Sequence, residues 1–436
     1  MHRLYFLISL IIACAISAHA ARVEFSAPGG KPVITLEVPA STGLAAVYVA
    51  PTTAGLTATY TPDKPGAPVT WHTFGPQGAT AATQVATGLT IQINNADCGY
   101  FIEEDTRRTY FYLIDYSASP MTPGELTVTD ADCSATLLTY TGSAPRLTYT
   151  TVNGRQIEID RGITLSYLNL TPPEAPADST ADIEQFTQIN ETRTLASITG
   201  LISIPPTLCT THFTLQGDRF LTAWGNPLTA ETSPLTPVAV QAATAAAQTH
   251  RTATNEQQAS DTSFGGSAPV DMTFRAAVTD AAIFTEWQVA TDPEFNDITL
   301  RQQSTDFDHT FTQTGTLYIR FNADNTDGTC PWYSDTYTVT IGESRLRCPN
   351  AFSPGATEGV NDEWRVSYRS IVQFECHIFN RLGVLMTQFN DPALGWDGKY
   401  KGKPVPPGVY YYVIKATGAD GKQYSLSGDI NILRPN

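Results

Sequence analysis

Short runs of alternating apolar and polar residues, closed by Gly, Pro, Asn or Asp, recur along the whole 436-residue chain and leave it few ways to fold. Successive side chains of an extended strand point to opposite faces, so such a run buries one face and wets the other. The sharpest instance is Leu147-Thr148-Tyr149-Thr150-Thr151-Val152, then Asn153-Gly154, then Arg155-Gln156-Ile157-Glu158-Ile159. Asn-Gly between two alternating runs specifies a tight hairpin, because its turn needs positive φ at the centre. Thr, Ser, Val, Tyr and Gly are abundant, Lys is sparse, and amphipathic helical windows are rare. The expected class is all-β. A chain of this length exceeds one core and suits tandem immunoglobulin-like β-sandwiches of roughly a hundred residues each, with a further β-sandwich at the C-terminal end.

The runs group into modules. Residues 21–118 hold Val33 to Val38, Ala46 to Val49, Leu56 to Tyr60, Leu89 to Ile93 and Thr109 to Tyr116, with Trp71 on an inner strand as core or, alternatively, as a ligand platform. Residues 119–230 form a second sandwich around the Asn153-Gly154 hairpin, with an exposed loop from Pro172 to Asp182. Asp178, Asp182 and Glu184 suit a solvated loop better than a metal site. Residues 231–343 form a third, with strands around Phe274, Trp287, Tyr318 and Val339 and a polar stretch at 249–266 expected to be a flexible insertion. This module resembles a PKD-type immunoglobulin-like domain. Asn322 to Gly328 and Asp292 to Asp297 are oxygen-rich; the first lacks the downstream Glu of an EF-hand loop, and both read as turns, with calcium the alternative for the first.

Residues 348–436 carry three further runs: Pro349-Asn350-Ala351-Phe352-Ser353-Pro354, Phe379-Asn380-Arg381-Leu382-Gly383, and Gly395-Trp396-Asp397-Gly398 followed by Pro407-Gly408-Val409-Tyr410-Tyr411-Tyr412-Val413. The last run is apolar or aromatic on both alternating faces, which predicts a central strand covered on both sides. In order and spacing these runs resemble the gliding motility-associated C-terminal domain, the type B C-terminal signal of Bacteroidetes type IX secretion. Two positions depart from the family. The loop after the first motif, Gly355 to Asp362 with Asn361, has fewer carboxylates than the usual Asn-Gly-Asp-Gly type, which puts a calcium role there in doubt. Leu382 stands where Trp is usual, a change expected to affect local packing only. The resemblance implies export, or docking to an outer-membrane β-barrel protein of that system, with periplasmic ring or peptidoglycan-linked components as further candidates. The proposed contacts are Phe352, Trp364, Phe379, Trp396, Tyr410 and Tyr412, with Arg381 as a polar fork. For Phe379 and Trp396 the favoured reading is core.

Residues 1–20 read as a secretory signal, with basic His2-Arg3, an apolar stretch to Ile16, and Ala18-His19-Ala20 before the cut. The rival is a lipoprotein signal cut before Cys14. No later stretch has the length and apolarity of a membrane helix. The net charge is −16, and residues 1–347 carry 17 Lys plus Arg against 34 Asp plus Glu, which disfavours nucleic acid and anionic lipid as partners. Of six cysteines after Cys14, the proposed module boundaries favour Cys133 with Cys209 and Cys348 with Cys376, leaving Cys98 and Cys330 unassigned.

Signatures of an enzyme are missing: no Gly-x-Ser-x-Gly, His-Glu-x-x-His, phosphate loop or dinucleotide fingerprint occurs, and His72, His212, His250, His309 and His377 are scattered singly. No catalytic residue, metal or cofactor is expected. The leading expectation is a non-enzymatic type IX secretion-associated protein at the outer membrane, on its periplasmic face or the cell surface. An exported adhesin and a secreted hydrolase with an unrecognised site are the alternatives.

Overall fold

The computed structural model describes residues 23–433 except 175, 177–179, 259–263 and 358. The signal segment at 1–20 and Asp178 lie outside the described residues. Strands make up nearly all of the regular structure of the described chain, with one short α-helix at Arg219–Ala223.

The first sandwich sets the sheet Val23–Ser26, Thr57–Tyr60, Thr90–Gln92 against six strands in the order Ile34–Leu36, Ala46–Ala50, Arg107–Asp115, Cys98–Glu104, Val69–Phe74, Thr83–Thr87. Trp71 is fully buried between them, its indole N–H donating to Gly88 O at 2.8 Å, and Tyr100 stacks on Phe111 at 5.4 Å. Trp71 is therefore core.

The expected hairpin forms around Asn153-Gly154, with Thr150 opposite Gln156 and Gly154 at φ 85°; Thr151 N–H donates to Arg155 O, so the turn also takes in Val152. Its apolar side does not pack inside the second sandwich. Tyr149, Leu147 and Ile159 join Phe74, Phe101 and Tyr112 on the back of the first module's six-stranded sheet, together with Phe220 and Trp224. The second sandwich proper pairs Leu126–Ala131, Thr136–Tyr140 and Leu201–Ile204 against Thr187–Leu195, Ile163–Thr171, Thr214–Gly217 and Leu228–Glu231. Leu138, Leu165 and Phe213 fill it.

A buried polar knot ties these two units. Arg161 and Asp218 are both fully buried and meet at 2.6 Å. Arg161 also donates to Tyr116 Oη, Ser119 O and Pro145 O, and Asp218 accepts from Tyr116 Oη and caps Arg219–Ala223 through Leu221 N–H. All five guanidinium N–H directions are committed, which is what a buried Arg requires.

The third sandwich packs Ala242–Thr249, Val270–Val278 and Asp306–Phe311 against Phe264–Gly266, Tyr337–Ile341, Gly315–Asp324, Phe284–Ala290 and Ile298–Gln302, around Trp287 and Phe274 at 5.3 Å. Three expectations need correction here. Cys133 pairs with Cys330, not with Cys209, so this disulfide joins the second and third modules. Cys98, Cys209, Cys348 and Cys376 are free thiols, so Cys348 and Cys376 are not bonded to each other. The error came from assuming that pairs stay within a module; Cys209 is buried, whereas Cys133 lies on an exposed turn.

The stretch 249–266 is not a free insertion where it is described. Phe264–Gly266 is a parallel edge strand on Tyr337–Ile341. Asn255 Nδ2 donates to Val366 O and Pro392 O, both at 2.8 Å, and Gln257 N–H to Tyr368 O at 2.7 Å. Asn255 and Gln257 thus spend polar groups on the terminal module, while Thr249, His250, Thr252 and Thr254 stay exposed.

Candidate functional site

The terminal module is built on one five-stranded sheet, in the order Ala351–Phe352, Gln423–Ile432, Gly408–Gly418, Ile371–Phe379, Leu385–Phe389, flanked by the pairs Arg345–Arg347 with Ser367–Arg369 and Lys399–Tyr400 with Lys403–Pro404. Trp364 and Trp396 exchange backbone hydrogen bonds at 2.9 and 3.0 Å and sit fully or almost fully buried.

The motif residues build this module. Pro349 O accepts the Trp364 indole N–H at 2.7 Å, and Asn350 O accepts Asn431 N–H at 2.9 Å. Phe352 lies 5.7 Å from Trp396, and Trp396 lies 5.1 Å edge-on from Tyr410, whose hydroxyl donates to Pro406 O. Ser353 N–H donates to Asn361 O, closing the loop that Pro354 opens. Asp362 accepts Gly355 and Gly359 N–H through its two oxygens, and these bonds hold its carboxyl below the usual range. Asn380 Oδ1 accepts Leu382 and Val384 N–H, with Gly383 at φ 77° closing the turn. Asp397 Oδ1 accepts Lys399 N–H, Gly398 sits at φ 71°, and Gly408 opens its strand at φ 142°. A Cβ on Gly395 would lie 2.9 Å from Trp364 O, so only Gly permits the Trp364–Trp396 bridge.

Phe352, Trp364, Trp396 and Tyr410 are thus core and are not surface contacts. Tyr412 is half-buried against Trp364 at 5.2 Å. Phe379 is half-buried and stacks on His377; Arg381 is exposed. Leu382 is 80 % exposed, so the expected packing change has nothing to act on.

The Gly408–Gly418 strand departs from expectation in one respect. It is central, but only one face is covered: Tyr410, Ile414 and Ala416 point to the core, whereas Val409, Tyr411 and Val413 are exposed at 44, 46 and 42 %. Register puts Phe379 beside Tyr411 and His377 beside Val413, with Asp429 and Ser427 on the other flank. Leu382, Val384 and Leu385 extend the apolar surface from the neighbouring turn and edge strand. The only signal for this face was the run of three tyrosines, in which one phase had to point outward.

The oxygen-rich turns of the third module are closed on themselves. Asp324 Oδ1 accepts Asn325 and Cys330 N–H, and Asp292 accepts Glu294, Asn296 and Asp297 N–H. Asp182 and Glu184 are exposed. Among the described residues no group of three or more His, Cys, Asp or Glu is placed to hold a metal ion.

Fold and surface define a tandem β-sandwich protein ending in a compact module with its own core. Residues 346–432 of that module match the CHU_C type IX secretion signal domain, and residues 126–232 match the fibronectin type III domain. The terminal module therefore carries a type IX secretion signal domain, which implies export, and no helix among the described residues is long and apolar enough to cross a membrane. No curated protein matches it. Three N-terminal domains of the bacteriophage RB49 Highly Immunogenic Outer Capsid protein are similar at 9 % identity, covering 72 % of this chain and 100 % of that one, with a TM-score of 0.22. Dimeric latent PorU from Porphyromonas gingivalis is similar at 11 % identity over 75 % of this chain and 35 % of that one, TM-score 0.15. The BSP domain of a biofilm-associated protein is similar at 9 % identity over 95 and 96 %, TM-score 0.16. Superpositions this loose carry no argument about function.

Proposed function

We propose that this is a non-enzymatic type IX secretion-associated protein whose terminal module docks to an outer-membrane β-barrel partner, while its upstream sandwiches contact other machinery in the periplasm. The observation that carries the reading is the open face of the Gly408–Gly418 strand. A module that fills its core with Trp364, Trp396 and Tyr410 still leaves Val409, Tyr411 and Val413 uncovered at its centre, with Leu382 and Leu385 beside them. An apolar centre inside the polar rim of Asp429, Glu375 and Lys415 is the anatomy of a protein contact. The matched domain types, fibronectin-like and secretion-signal, support a non-catalytic role.

Deleting residues 346–436 is expected to abolish recovery of the barrel in a pull-down from outer-membrane extract. Tyr411→Asp should do nearly the same while leaving the module folded, since Tyr411 contributes nothing to the core. Undiminished recovery in both would end the docking reading. Protease added to intact cells should spare a periplasm-facing protein and shave an adhesin.

A further inference from the structure

The outer face of the larger sheet in the third sandwich holds a cleft of about 430 Å³, lined by Ile283, Phe284, Thr285, Glu286, Gln303 and Asn322. Cross-strand register sets Glu286 opposite Asn322 and Asn322 opposite Tyr333, so these side chains stand in a row on one face, with Phe284 one step along it. Their inward neighbours Trp287, Phe321 and Ala323 are core.

The floor of this face is held rigid by its own hydrogen bonds. Arg301 donates to Glu286 Oε1 at 2.6 Å and Gln288 Nε2 to the same oxygen at 2.7 Å, while Arg320 Nε donates to Gln288 Oε1 at 2.9 Å. The Arg320 guanidinium is clamped between the rings of Phe295 at 4.0 Å and Tyr333 at 4.6 Å. Gln288 is buried beneath them. Rims of Ile283 and Phe284, each 58 % exposed, and Tyr333, 50 % exposed, stand above this fixed floor. Asn322 is partly exposed, and its Oδ1 has no hydrogen-bond donor; the oxygen is closed to water as the side chain stands, so a ligand hydroxyl reaches it when the amide turns toward the cleft. A buried acceptor without a donor calls for a reason, and a ligand hydroxyl is one.

The ligand must bring a donor to Asn322, an apolar face to Phe284, and little charge. Glu286 repels an anion, Arg301 and Arg320 repel a cation, and only Ile283 and Phe284 in the cleft lining offer apolar surface to a hydrophobic partner. A pyranose satisfies all three demands, because its ring presents C–H groups on one face and hydroxyls at its edge. The row Glu286, Asn322, Tyr333 crosses three strands, about 10 Å at the usual strand spacing, which suits a short chain of sugars rather than one ring. We propose that this cleft binds a neutral oligosaccharide, with Phe284 stacking on a sugar face and Asn322 and Glu286 accepting its hydroxyls. The proposal is independent of the docking role of the terminal module.

The test is calorimetric titration of the full chain with cellohexaose, laminarihexaose, xylohexaose, mannohexaose and chitohexaose. The last arm separates a backbone that carries N-acetyl groups from those that carry hydroxyls alone. Saturable binding of at least one hexasaccharide is expected, weakened about tenfold by Phe284→Ala at an unchanged unfolding temperature. Asn322→Ala should weaken it similarly, and Asn322→Asp, which keeps the acceptor, should weaken it less. Phe284 is exposed, so its variant tests the proposal even if Asn322→Ala fails to fold. Binding of none of the five at millimolar concentration would overturn the proposal, as would equal affinity in wild type and Phe284→Ala. A concentration-dependent dimer broken by Phe284→Ala, without sugar binding, would give this face to a second copy of the chain and overturn it as well.

Discussion

Replacing Arg161 by Met removes the centre of the knot between the first two sandwiches while keeping much of the side-chain volume. The wild-type guanidinium makes two bonds to Asp218 Oδ2, at 2.9 and 2.6 Å, one to Tyr116 Oη at 3.1 Å, and one each to Ser119 O and Pro145 O at 2.9 and 2.6 Å. Met leaves the Asp218 carboxylate fully buried, with the Tyr116 hydroxyl and Leu221 N–H as its remaining donors, and strips both carbonyls. Breaking a buried pair from one side costs about 3–5 kcal/mol. For a cooperative unit of roughly 200 residues, each kcal/mol lowers the midpoint by about 2–4 °C, so a fall of roughly 6–20 °C is expected. Differential scanning calorimetry of the full chain should show that fall in the transition of the first two sandwiches and none in those of the third and terminal modules. The double variant Arg161→Met with Asp218→Leu should recover part of the loss, because it removes the stranded charge as well. A fall below about 3 °C would match a surface ion pair and refute the argument, as would a double variant less stable than Arg161→Met alone.

Further predictions concern the rest of the chain. Burial pushes the Cys376 thiol up to about 12, so iodoacetamide at pH 8 should leave Cys376 unmodified in the native protein and label it once guanidinium unfolds the module; mass spectrometry of native-state label on Cys376 would count against it. A non-reducing peptide map should recover Cys133 joined to Cys330, and a Cys133–Cys209 peptide would contradict the fold. Asn255→Ala removes two bonds to carbonyls of the terminal module and should lower that module's stability by about 1–3 kcal/mol, read as a shift in its denaturation midpoint with the slope unchanged. Asp362 is held below the ordinary Asp value by Gly355 and Gly359 N–H, so its contribution is complete above the unfolded pKa and is lost as pH falls through the folded one. The Gly355 and Gly359 amide resonances should therefore stay in place down to roughly pH 4 and move only below it; movement beginning at higher pH would reverse that sign.

Strand identity was legible residue by residue. Alternation at 147–152 and 155–159 with Asn153-Gly154 between them specified a hairpin, because side-chain period and turn propensity are local properties, whereas its register, with Val152 drawn into the turn, appears only in the structure. The terminal motifs were equally readable as a family pattern, and their Gly, Asn and Asp residues do the local work of closing turns at Asn380, Asp362 and Asp397.

Alternation and turn residues told which side chains share a face, which is why the all-β class and the secretion-signal module could be read along the chain. Which face is covered, and by what, was decided only by tertiary structure, since the covering elements lie far away along the chain. Val409, Tyr411 and Val413 stay open while Tyr410 is buried, although all four looked equally fit for a core. Cys133 found Cys330 across 197 residues rather than Cys209, and the polar segment at Asn255 found the carbonyls of Val366 and Pro392. Alternation encodes direction relative to a strand, whereas burial depends on the neighbour that arrives.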